Sequence, residues 1–289
     1  MDLSICIATL NARQYLQNCL DSLSKFPPQL EYEIIVVDNA STDDTAAMLK
    51  ERYPSVTLIQ NTKNWGFAHP INQALHQACG DFLLILNPDT QFLEDVATPQ
   101  IAYLSAHPQV GLCIPKVLNK DGSFQRQSRR GEARPAEVFG YFLKLGLLFP
   151  RSRALNGYLQ AWLPEDEIAE VKAVSGSCMF IRRECWQSVG DFDEAYFAYQ
   201  EDSDYCFRAR LAGWKVMYIP LTRIIHFGGE GGSSTQSVKS IVAWHKSYFI
   251  YYRKFLAKDY FFLFNLFYYI CMLAKLIFAL IQHFFRQLA

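Results

Sequence analysis

The chain lacks an excess of charge of either sign, because its 28 lysine and arginine residues balance 28 aspartate and glutamate residues. A formal charge of zero excludes binding of nucleic acid or another polyanion through bulk electrostatic attraction, and it disfavours an acidic solvating tail. Charged residues are also sparse, at 19% of 289, whereas hydrophobic residues make up 51%. A chain of this length and composition can bury the core of one large domain or two modest ones.

The eight cysteines include no Cys-x-x-Cys pair and no grouping with histidine at the spacing of a zinc site. Several of them, such as Cys6 and Cys178, lie in apolar runs, which favours buried reduced thiols. The first residues contain neither a basic segment nor a cleavable apolar stretch. We therefore expect no secretory signal and a cytoplasmic catalytic face.

Apolar, β-branched runs alternate with helical spacing through the first hundred residues. The predicted strands are residues 3–9, 33–37, 56–60 and 81–86, and the predicted helices are residues 12–25, 43–52 and 71–78. This alternation predicts right-handed βαβ units, and therefore an α/β fold with a mostly parallel, Rossmann-like sheet. Ligands of such sheets bind beyond the carboxyl ends of the strands. The polar residues expected to meet there in one crevice are Asn11, Asp38, Asn61 and Asp89.

Residues 119–170 depart from this alternation and begin with a basic stretch. Its arginines are Arg126, Arg129, Arg130 and Arg134. An amphipathic or loosely ordered segment follows through Pro150, and we interpret residues 119–170 as a variable insertion rather than a second domain. Regular patterns then return. They predict a strand pair around Gly176, helices at 184–189 and 201–212, an edge strand at 215–220 and a glycine-rich loop at 228–234.

The last fifty residues combine aromatic and basic character. Residues 261–281 contain one charged residue, Lys275, over a length that can span a bilayer core of about 30 Å. Residues 240–289 carry six basic side chains and one acidic one, mostly before the apolar run, which favours a cytoplasmic position for the preceding domain. We expect a membrane-associated helix that either spans the bilayer or lies on it, with a buried core helix as the alternative.

Six short motifs occur in one order along the chain. They are residues 5–11 (Ile-Cys-Ile-Ala-Thr-Leu-Asn), 36–43 (Val-Val-Asp-Asn-Ala-Ser-Thr-Asp), 64–68 (Asn-Trp-Gly-Phe-Ala), 86–89 (Leu-Asn-Pro-Asp), 176–182 (Gly-Ser-Cys-Met-Phe-Ile-Arg) and 200–208 (Gln-Glu-Asp-Ser-Asp-Tyr-Cys-Phe-Arg). With His226 after them, their order resembles that of the family 2 glycosyltransferases of GT-A fold, specifically the rhamnosyltransferase-like branch. The resemblance implies a GT-A catalytic domain at 1–239, with a nucleotide-binding half at 1–95 and an acceptor and catalytic half at 171–239, before membrane-associated helices at 240–289.

The resemblance implies the residues of the donor side. The family holds a divalent metal, Mg²⁺ or Mn²⁺, at an Asp-x-Asp strand end. This chain keeps only the last carboxylate, so Asp89 is the expected metal ligand beside Asn87, and His226 is the expected second metal or phosphate contact. The expected nucleotide wall is Thr9, Asn11, Asp38, Asn64, Gly66, Phe67 and Asn72. Each of these assignments has a structural alternative that stays open. The Asn-Pro-Asp segment could be only a turn, Asp38 could cap a helix, and His226 could have a structural role.

The resemblance also implies the acid–base chemistry. Asp202 is the expected general base on the acceptor hydroxyl, with Glu201 as its positioning neighbour, because two adjacent carboxylates can raise one pKa. Asp204 and Arg208, one helical turn apart, could form a supporting pair. The expected lining of the sugar or acceptor pocket is Gly176, Ser177 and Arg208. The alternative is a solvated acidic helix start, which the helix dipole favours.

These assignments predict an inverting, metal-assisted glycosyltransferase that adds one sugar per encounter to a glycan or lipid-linked acceptor in cell-surface polysaccharide synthesis. The branch favours dTDP-L-rhamnose as the nucleotide-sugar donor, and UDP-hexose and UDP-N-acetylhexosamine donors stay open. A nucleotidyltransferase is a second hypothesis, although residues 9–13 lack the glycine of that class's loop. A non-catalytic nucleotide-sugar-binding module is a third. The expected location is the cytoplasmic face of the cell membrane, through contact of the tail with membrane lipid or a single C-terminal span.

Overall fold

The computed structural model describes residues 1–149, 152–229 and 238–288, and within them all but two of the strands belong to one sheet. In chain order the strands are β1 (Leu3–Thr9), β2 (Tyr32–Asp38), β3 (Thr57–Gln60), β4 (Phe82–Leu86), β5 (Thr90–Phe92), β6 (Val110–Leu118), β7 (Arg129–Arg130), β8 (Ala169–Glu170), β9 (Ala173–Val174), β10 (Cys178–Arg182) and β11 (Lys215–His226). The α-helices are α1 (Arg13–Lys25), α2 (Thr45–Arg52), α3 (Ala68–Gln77), α4 (Ala97–Ala106), α5 (Pro135–Phe142), α6 (Leu145–Leu148), α7 (Arg153–Asn156), α8 (Arg183–Val189), α9 (Glu201–Leu211), α10 (Val238–Tyr251) and α11 (Phe262–Leu288).

The main sheet has the order β3-β2-β1-β4-β10-β6-β11-β5, with β8 paired to β11. Strands β1 to β4 pair in parallel, so their carboxyl ends share one edge. β1 is buried along its whole length, as expected of a strand in a sheet covered on both faces. β10 lies antiparallel between β4 and β6. The predicted α/β fold with a Rossmann-like first half is confirmed, and the second half of the sheet is mixed.

Two predictions about the second half are wrong. The strand predicted to end at residue 220 continues to His226 as β11, and it lies between β6 and β5 instead of at an edge. Pro220 is tolerated there because the register of β11 against β6 shifts between Tyr218 and Arg223. The strands on either side of Gly176 do not pair with each other, since β9 pairs with β7 and β10 pairs with β4 and β6. Most of the predicted loop at 228–234 lies outside the described residues.

The basic stretch of the predicted insertion is partly internal. Arg129 is buried, and its guanidinium donates to the carbonyl oxygens of Leu163 and Pro164 at 2.5 and 2.7 Å. The same guanidinium lies 4.4 Å from the ring centroid of Tyr218. Arg130 follows it in the β7–β9 ladder, which ends just before Gly176. This segment therefore belongs to the packed body of the protein.

Helix α11 is long and apolar, and the side chains on its outward side are exposed. Its segment Phe262–Arg286 has the length and composition to cross a membrane, and 11% of its most apolar window is buried. Tyr268 and Met272 point inward, and Tyr268 stacks on Tyr252 with 3.8 Å between the ring centroids. The exposed outward side chains include Phe262, Leu266, Phe267, Ile270, Leu273, Ile277 and Ile281. The alternative of a buried core helix therefore does not fit.

A buried charge cluster fastens the C-terminal helices to α9. Asp204 of α9 has no solvent exposure and accepts a hydrogen bond from the Nε of Arg208 at 2.6 Å. Lys254, in the π-helical turn after α10, donates to Asp204 and to Asp193, both at 2.6 Å. The predicted pairing of Asp204 with Arg208 is confirmed. Because the carboxylate of Asp204 pairs with both Arg208 and Lys254, it holds α9 and the C-terminal helices in one arrangement.

Replacing Asp204 with asparagine is expected to destabilise the protein by about 3–5 kcal/mol, because it leaves the charges of Arg208 and Lys254 without their shared buried partner. The free energy of unfolding in urea measures this loss. Glu170→Gln is the control, since Glu170 meets Lys215 at 3.6 Å with both side chains about half exposed. It should cost less than about 1 kcal/mol, and equal losses in the two variants would contradict the proposed anchoring.

Candidate active site

A cavity of about 560 Å³ opens at the carboxyl ends of β1 and β4 and extends to α9 and α10. We call it the central cavity. The predicted site residues that line it are Thr9, Asn64, Gly66, Phe67, Asn87, Asp89, Gly176, Ser177, Glu201, Asp202 and His226. A larger surface groove of about 720 Å³ lies elsewhere and is lined by none of them. The central cavity is therefore the candidate active site.

The β1 end of the cavity is organised by an asparagine that the sequence did not single out. Asn39, directly after β2, donates through Nδ2 to the side-chain oxygen of Asn64 at 3.0 Å and to the carbonyl of Gly66 at 2.8 Å. Its own Oδ1 accepts from the backbone N–H of Trp65 at 3.2 Å. Thr9 lies nearby at the end of β1, and its buried Oγ1 has no partner among the described residues. These groups form a polar wall of fixed geometry.

Three predicted donor contacts lie outside the lining of the cavity. Asp38 accepts from the N–H of Ser41 at 3.0 Å, and the side-chain oxygen of Asn11 accepts from the N–H of Thr42 at 2.7 Å. Asn72 exchanges two 2.9 Å hydrogen bonds with the backbone of Phe192. These side chains hold loops that surround the cavity.

Asn61 also lies outside the lining of the cavity, so of the four polar strand ends expected to meet in one crevice only Asp89 lines it. Its Nδ2 donates to the side-chain oxygens of Asn39 and Gln73, at 3.2 and 2.8 Å. The side chains of Asn11, Asp38 and Asn61 thus each have a hydrogen bond to a neighbouring segment of the chain.

Asp89 and His226 come together at the floor of the cavity. Asp89 is buried, and its Oδ1 lies 3.3 Å from the Nε2 of His226. Asn87 Nδ2 lies 3.1 Å from the same nitrogen. On the other side of the ring, His226 Nδ1 lies 2.8 Å from the Oε1 of Gln125. With Nδ1 donating to Gln125, the Nε2 lone pair accepts from Asn87 Nδ2 and lies beside Asp89, and the bond from Nδ1 fixes the ring in the way that is usual for histidine ligands of metals.

This floor suits a divalent cation that arrives with phosphate. Within residues 1–149, 152–229 and 238–288, no group of three or more histidine, cysteine, aspartate or glutamate side chains could hold a metal alone. Mg²⁺ typically binds through one or two carboxylates, with substrate phosphates and water completing its shell. The carboxylate of Asp89 is a donor of that kind, and the imidazole of His226 lies 3.3 Å from it.

Asp202 is fixed at the start of α9 by four hydrogen bonds, the longest of which is donated by the Ser203 hydroxyl to Oδ1 at 3.3 Å. Arg130 Nη2 lies 2.5 Å from its Oδ2, and both residues are more than nine-tenths buried. The backbone N–H of Gly176 donates to the same oxygen at 3.2 Å, and the N–H of Ser203 donates to Oδ1 at 2.6 Å. The carboxylate therefore has one defined orientation at the cavity wall.

The neighbouring Glu201 differs from Asp202 in its surroundings. Burial, and after it the negative charge of Asp202, raises the pKa of Glu201 well above its usual range. Its Oε2 has no hydrogen-bond partner among the described residues. Burial alone would lower the pKa of Arg130, but the carboxylate of Asp202 outweighs it and the pKa is raised. The arrangement is thus a salt-bridged aspartate beside a glutamate that favours its neutral form.

Arg208 is not a pocket residue, which corrects its predicted place. Besides its bond to Asp204, its guanidinium donates to the carbonyl oxygens of Val189 and Asp191 at 2.9 and 2.7 Å. Arg130 takes the position near the acid pair that was expected of Arg208. The only sequence signal for Arg130 was its membership of a basic run, which three other arginines share.

Comparisons with known proteins agree on one family. Residues 4–165 match the family model described as Glycosyl transferase family 2, and residues 163–285 match the one described as Glycosyl transferase family group 2. The chain is 29% identical over 261 residues to the N-acetylglucosaminyl-diphospho-decaprenol L-rhamnosyltransferase of Mycobacterium tuberculosis, covering 86% of this chain and 83% of that protein. It is 27% identical over 261 residues to the rhamnosyltransferase WbbL of Escherichia coli, covering 86% and 91%.

Among solved structures, the chain resembles the mannosyltransferase PcManGT from Pyrobaculum calidifontis, which was determined in complex with GDP-Man and Mn²⁺. The TM-score is 0.56 at 20% sequence identity, and the likeness covers 85% of this chain. This chain spans 62% of that one, which is less than two thirds of its length. The likeness confirms the predicted GT-A fold.

Replacing Gly66 with alanine is expected to distort the wall of the cavity. The new Cβ would lie 2.1 Å from the carbonyl oxygen of Phe197, and the residue has a φ of +89°. Gly122→Ala is a matched control, because Gly122 has a φ of +81° but no atom within 4 Å of an added Cβ. Unfolding in urea should show a loss of about 1–2 kcal/mol for the control, from backbone strain alone. The clash should cost Gly66→Ala about 1–3 kcal/mol more. Equal losses would show that the contact with Phe197 is unimportant.

Proposed function

The chain belongs to glycosyl transferase family 2, and from this premise we propose that it moves a sugar, with inversion, from a nucleoside diphosphate to an acceptor hydroxyl. The predicted enzyme class is confirmed, as is the resemblance to the rhamnosyltransferase-like branch. Membership of this family excludes the nucleotidyltransferase and the non-catalytic module. The observation that carries the proposal is that Asp89 and Asp202 line the same cavity.

The donor occupies the half of the central cavity between Thr9 and Asp89 in this proposal. The polar wall of Asn39 and Asn64 faces the nucleoside, and the diphosphate lies against Asp89 and His226. Asp89 and His226 would hold the divalent metal, which when bound neutralises the charge that grows on the leaving diphosphate. Mn²⁺ is present with GDP-Man in the related mannosyltransferase, which supports a metal-dependent donor site here.

The transfer itself needs a base on the side of the sugar opposite the diphosphate. Asp202 accepts the proton of the acceptor hydroxyl while the hydroxyl oxygen bonds to the anomeric carbon. The bond from that carbon to the diphosphate oxygen breaks, and its electron pair leaves with the nucleoside diphosphate. Attack from the opposite side inverts the configuration. Arg130 and the Gly176 N–H hold Asp202 in position, and the neutral form of Glu201 can donate a hydrogen bond to a sugar hydroxyl.

We infer that the transferred sugar is L-rhamnose and that its carrier is dTDP. The support is that two relatives, each matched over more than four fifths of its length, are named rhamnosyltransferases. UDP-hexose and UDP-N-acetylhexosamine are the competing donors. The mycobacterial relative is named for N-acetylglucosaminyl-diphospho-decaprenol, which is a lipid diphosphate that carries N-acetylglucosamine. This name supports an acceptor of the same chemical class here.

The proposed location is the cytoplasmic face of the cell membrane. The apolar outward side of α11 is a surface that lipid can cover, and the side facing the body of the protein carries Asn265, Lys275 and His283. The helix has the length and hydropathy to span a bilayer and is also amphipathic, so the proposal includes both a helix that spans the membrane and one that lies in its interface. The predicted contact with membrane lipid through the tail is thus part of the proposal.

The purified chain should transfer sugar from dTDP-L-rhamnose to an N-acetylglucosaminyl-diphospho-lipid in the presence of Mn²⁺, and not from UDP-glucose or UDP-N-acetylglucosamine. Radiolabelled product measures transfer, and EDTA should abolish it. In a parallel melting experiment, dTDP should raise the melting temperature more with Mn²⁺ than without it. Transfer from a UDP-sugar, and not from dTDP-L-rhamnose, would show that the proposed donor is wrong. If the chain neither transferred nor hydrolysed any nucleotide sugar, the proposed function would be contradicted.

Asp202→Asn should lower kcat by about 10²–10⁴-fold, because the amide cannot accept the proton. The dissociation constant of dTDP-L-rhamnose should stay unchanged, since Asp202 lies outside the proposed donor half. Isothermal titration and initial rates separate the two effects, and a melting curve checks that the variant is folded. Asp166→Asn is the control, because the Asp166 side chain is 83% exposed and outside the cavity, and it should keep full activity. Unchanged transfer by Asp202→Asn would exclude this base.

A further inference from the structure

The central cavity continues past Asp202 into a part that the proposed donor does not fill. Its far end is lined by four aromatic side chains, two from residues 119–170 and two from α10. We call them the aromatic wall, and they are Tyr141, Tyr158, Trp244 and Tyr248. The hydroxyls of Tyr158 and Tyr248 lie 2.8 Å apart in a hydrogen bond, and the ring centroids of Trp244 and Tyr248 are 4.3 Å apart.

The chemistry of inversion assigns an occupant to this end. Asp202 must touch the acceptor hydroxyl, and the acceptor must approach the anomeric carbon from the side opposite the diphosphate. With the diphosphate at Asp89, the body of the acceptor has to extend beyond Asp202, where the aromatic wall lies. We propose that the aromatic wall is the subsite for the acceptor saccharide, so that Trp244 and Tyr141 determine which acceptors are used. This inference rests on the proposed function.

The wall is tied directly to the helix that carries Asp202. Arg130, which is paired with Asp202, lines the central cavity together with Tyr158 and Tyr248. Gln200 contacts the hydroxyl of Tyr158 through its Nε2 at 3.5 Å. Tyr199 and Gln200 both have left-handed backbone, with φ of 69° and 64°. Such strain in two consecutive residues is typical of functional sites, and here it sets the turn between the wall and Asp202.

The position of α10 also brings this subsite close to α11. Trp244 projects from α10, and the Nζ of Lys275 on α11 lies 3.8 Å from the centroid of its ring. The outward side of α11 is the exposed apolar surface described above. Trp244 is therefore adjacent to the helix that the proposal places at the membrane, on the side of that helix that faces the body of the protein.

Steady-state kinetics with the lipid-linked acceptor of the preceding section test the subsite. Trp244→Ala should raise the KM for the acceptor about tenfold or more, as removal of a buried aromatic contact typically does. The KM for dTDP-L-rhamnose and the slow hydrolysis of this donor by water should change less than about twofold, since neither uses the wall. Trp244→Phe should recover most of the acceptor affinity. Val242→Ala, exposed on the same helix and outside the cavity, is the matched control and should behave as wild type.

Tyr141→Ala is the second variant, because Tyr141 is 39% exposed and its removal leaves little buried space. This variant should also raise the acceptor KM, and it keeps the test decisive if Trp244→Ala does not fold.

Methyl N-acetylglucosaminide, which has no diphosphate or lipid, distinguishes binding of the saccharide from binding of the lipid diphosphate. If the wall binds the saccharide itself, both variants weaken transfer to this free glycoside as well. Acceptor KM values unchanged in both variants, or donor hydrolysis lost together with transfer, would overturn the inference. A wild-type chain without any transfer or hydrolysis would instead contradict the proposed function.

Discussion

The buried ion pair between Arg130 and Asp202 is the interaction on which the arrangement of the central cavity depends. Its partners are 72 residues apart in the chain and come from β7 and α9. Removing one member of such a pair leaves the other charge in a medium of low polarity, at a cost of about 3–5 kcal/mol. The pair therefore fixes α9 against the β7–β9 ladder. Gly176 follows this ladder, and its N–H donates to the same carboxylate oxygen. The backbone at Gly176 and the side chain of Asp202 are therefore held in one relative position.

The first half of the fold could be predicted from the sequence because its signals are local. A strand buried on both faces is an uninterrupted apolar run, and β1 at Leu3–Thr9 has the predicted bounds. The second half depends on contacts that leave no such pattern. β7, β8 and β9 contain two residues each, which is too short to show a period, and Pro220 interrupts the apolar run of β11 although the strand continues.

The same distinction decides which site residues could be foreseen. Asp89 and Asp202 were assigned from motifs, and the structure brings both to one cavity. Asp38 and Asn11 have equally polar positions at strand ends, but backbone N–H groups of the β2–α2 loop occupy their side chains. Arg130 shows the converse case. An arginine within a basic run gives the same sequence signal whether it is solvated or buried, and only the long-range pairing with Asp202 makes it part of the site.

The first turn of α9 links the proposed chemistry to the C-terminal helices. Successive residues of an α-helix are turned by about 100°, so Asp202 and Asp204 point to nearly opposite sides of α9. One faces the cavity and binds Arg130, and the other is buried against Lys254, which follows α10. Since the two carboxylates are separated by one residue of a rigid helix, their positions cannot vary independently. Contact of α11 with a membrane would therefore fix the depth and direction at which Asp202 meets an acceptor. The anchoring charge cluster and the carboxylate proposed as the base therefore lie on opposite sides of the same helical turn.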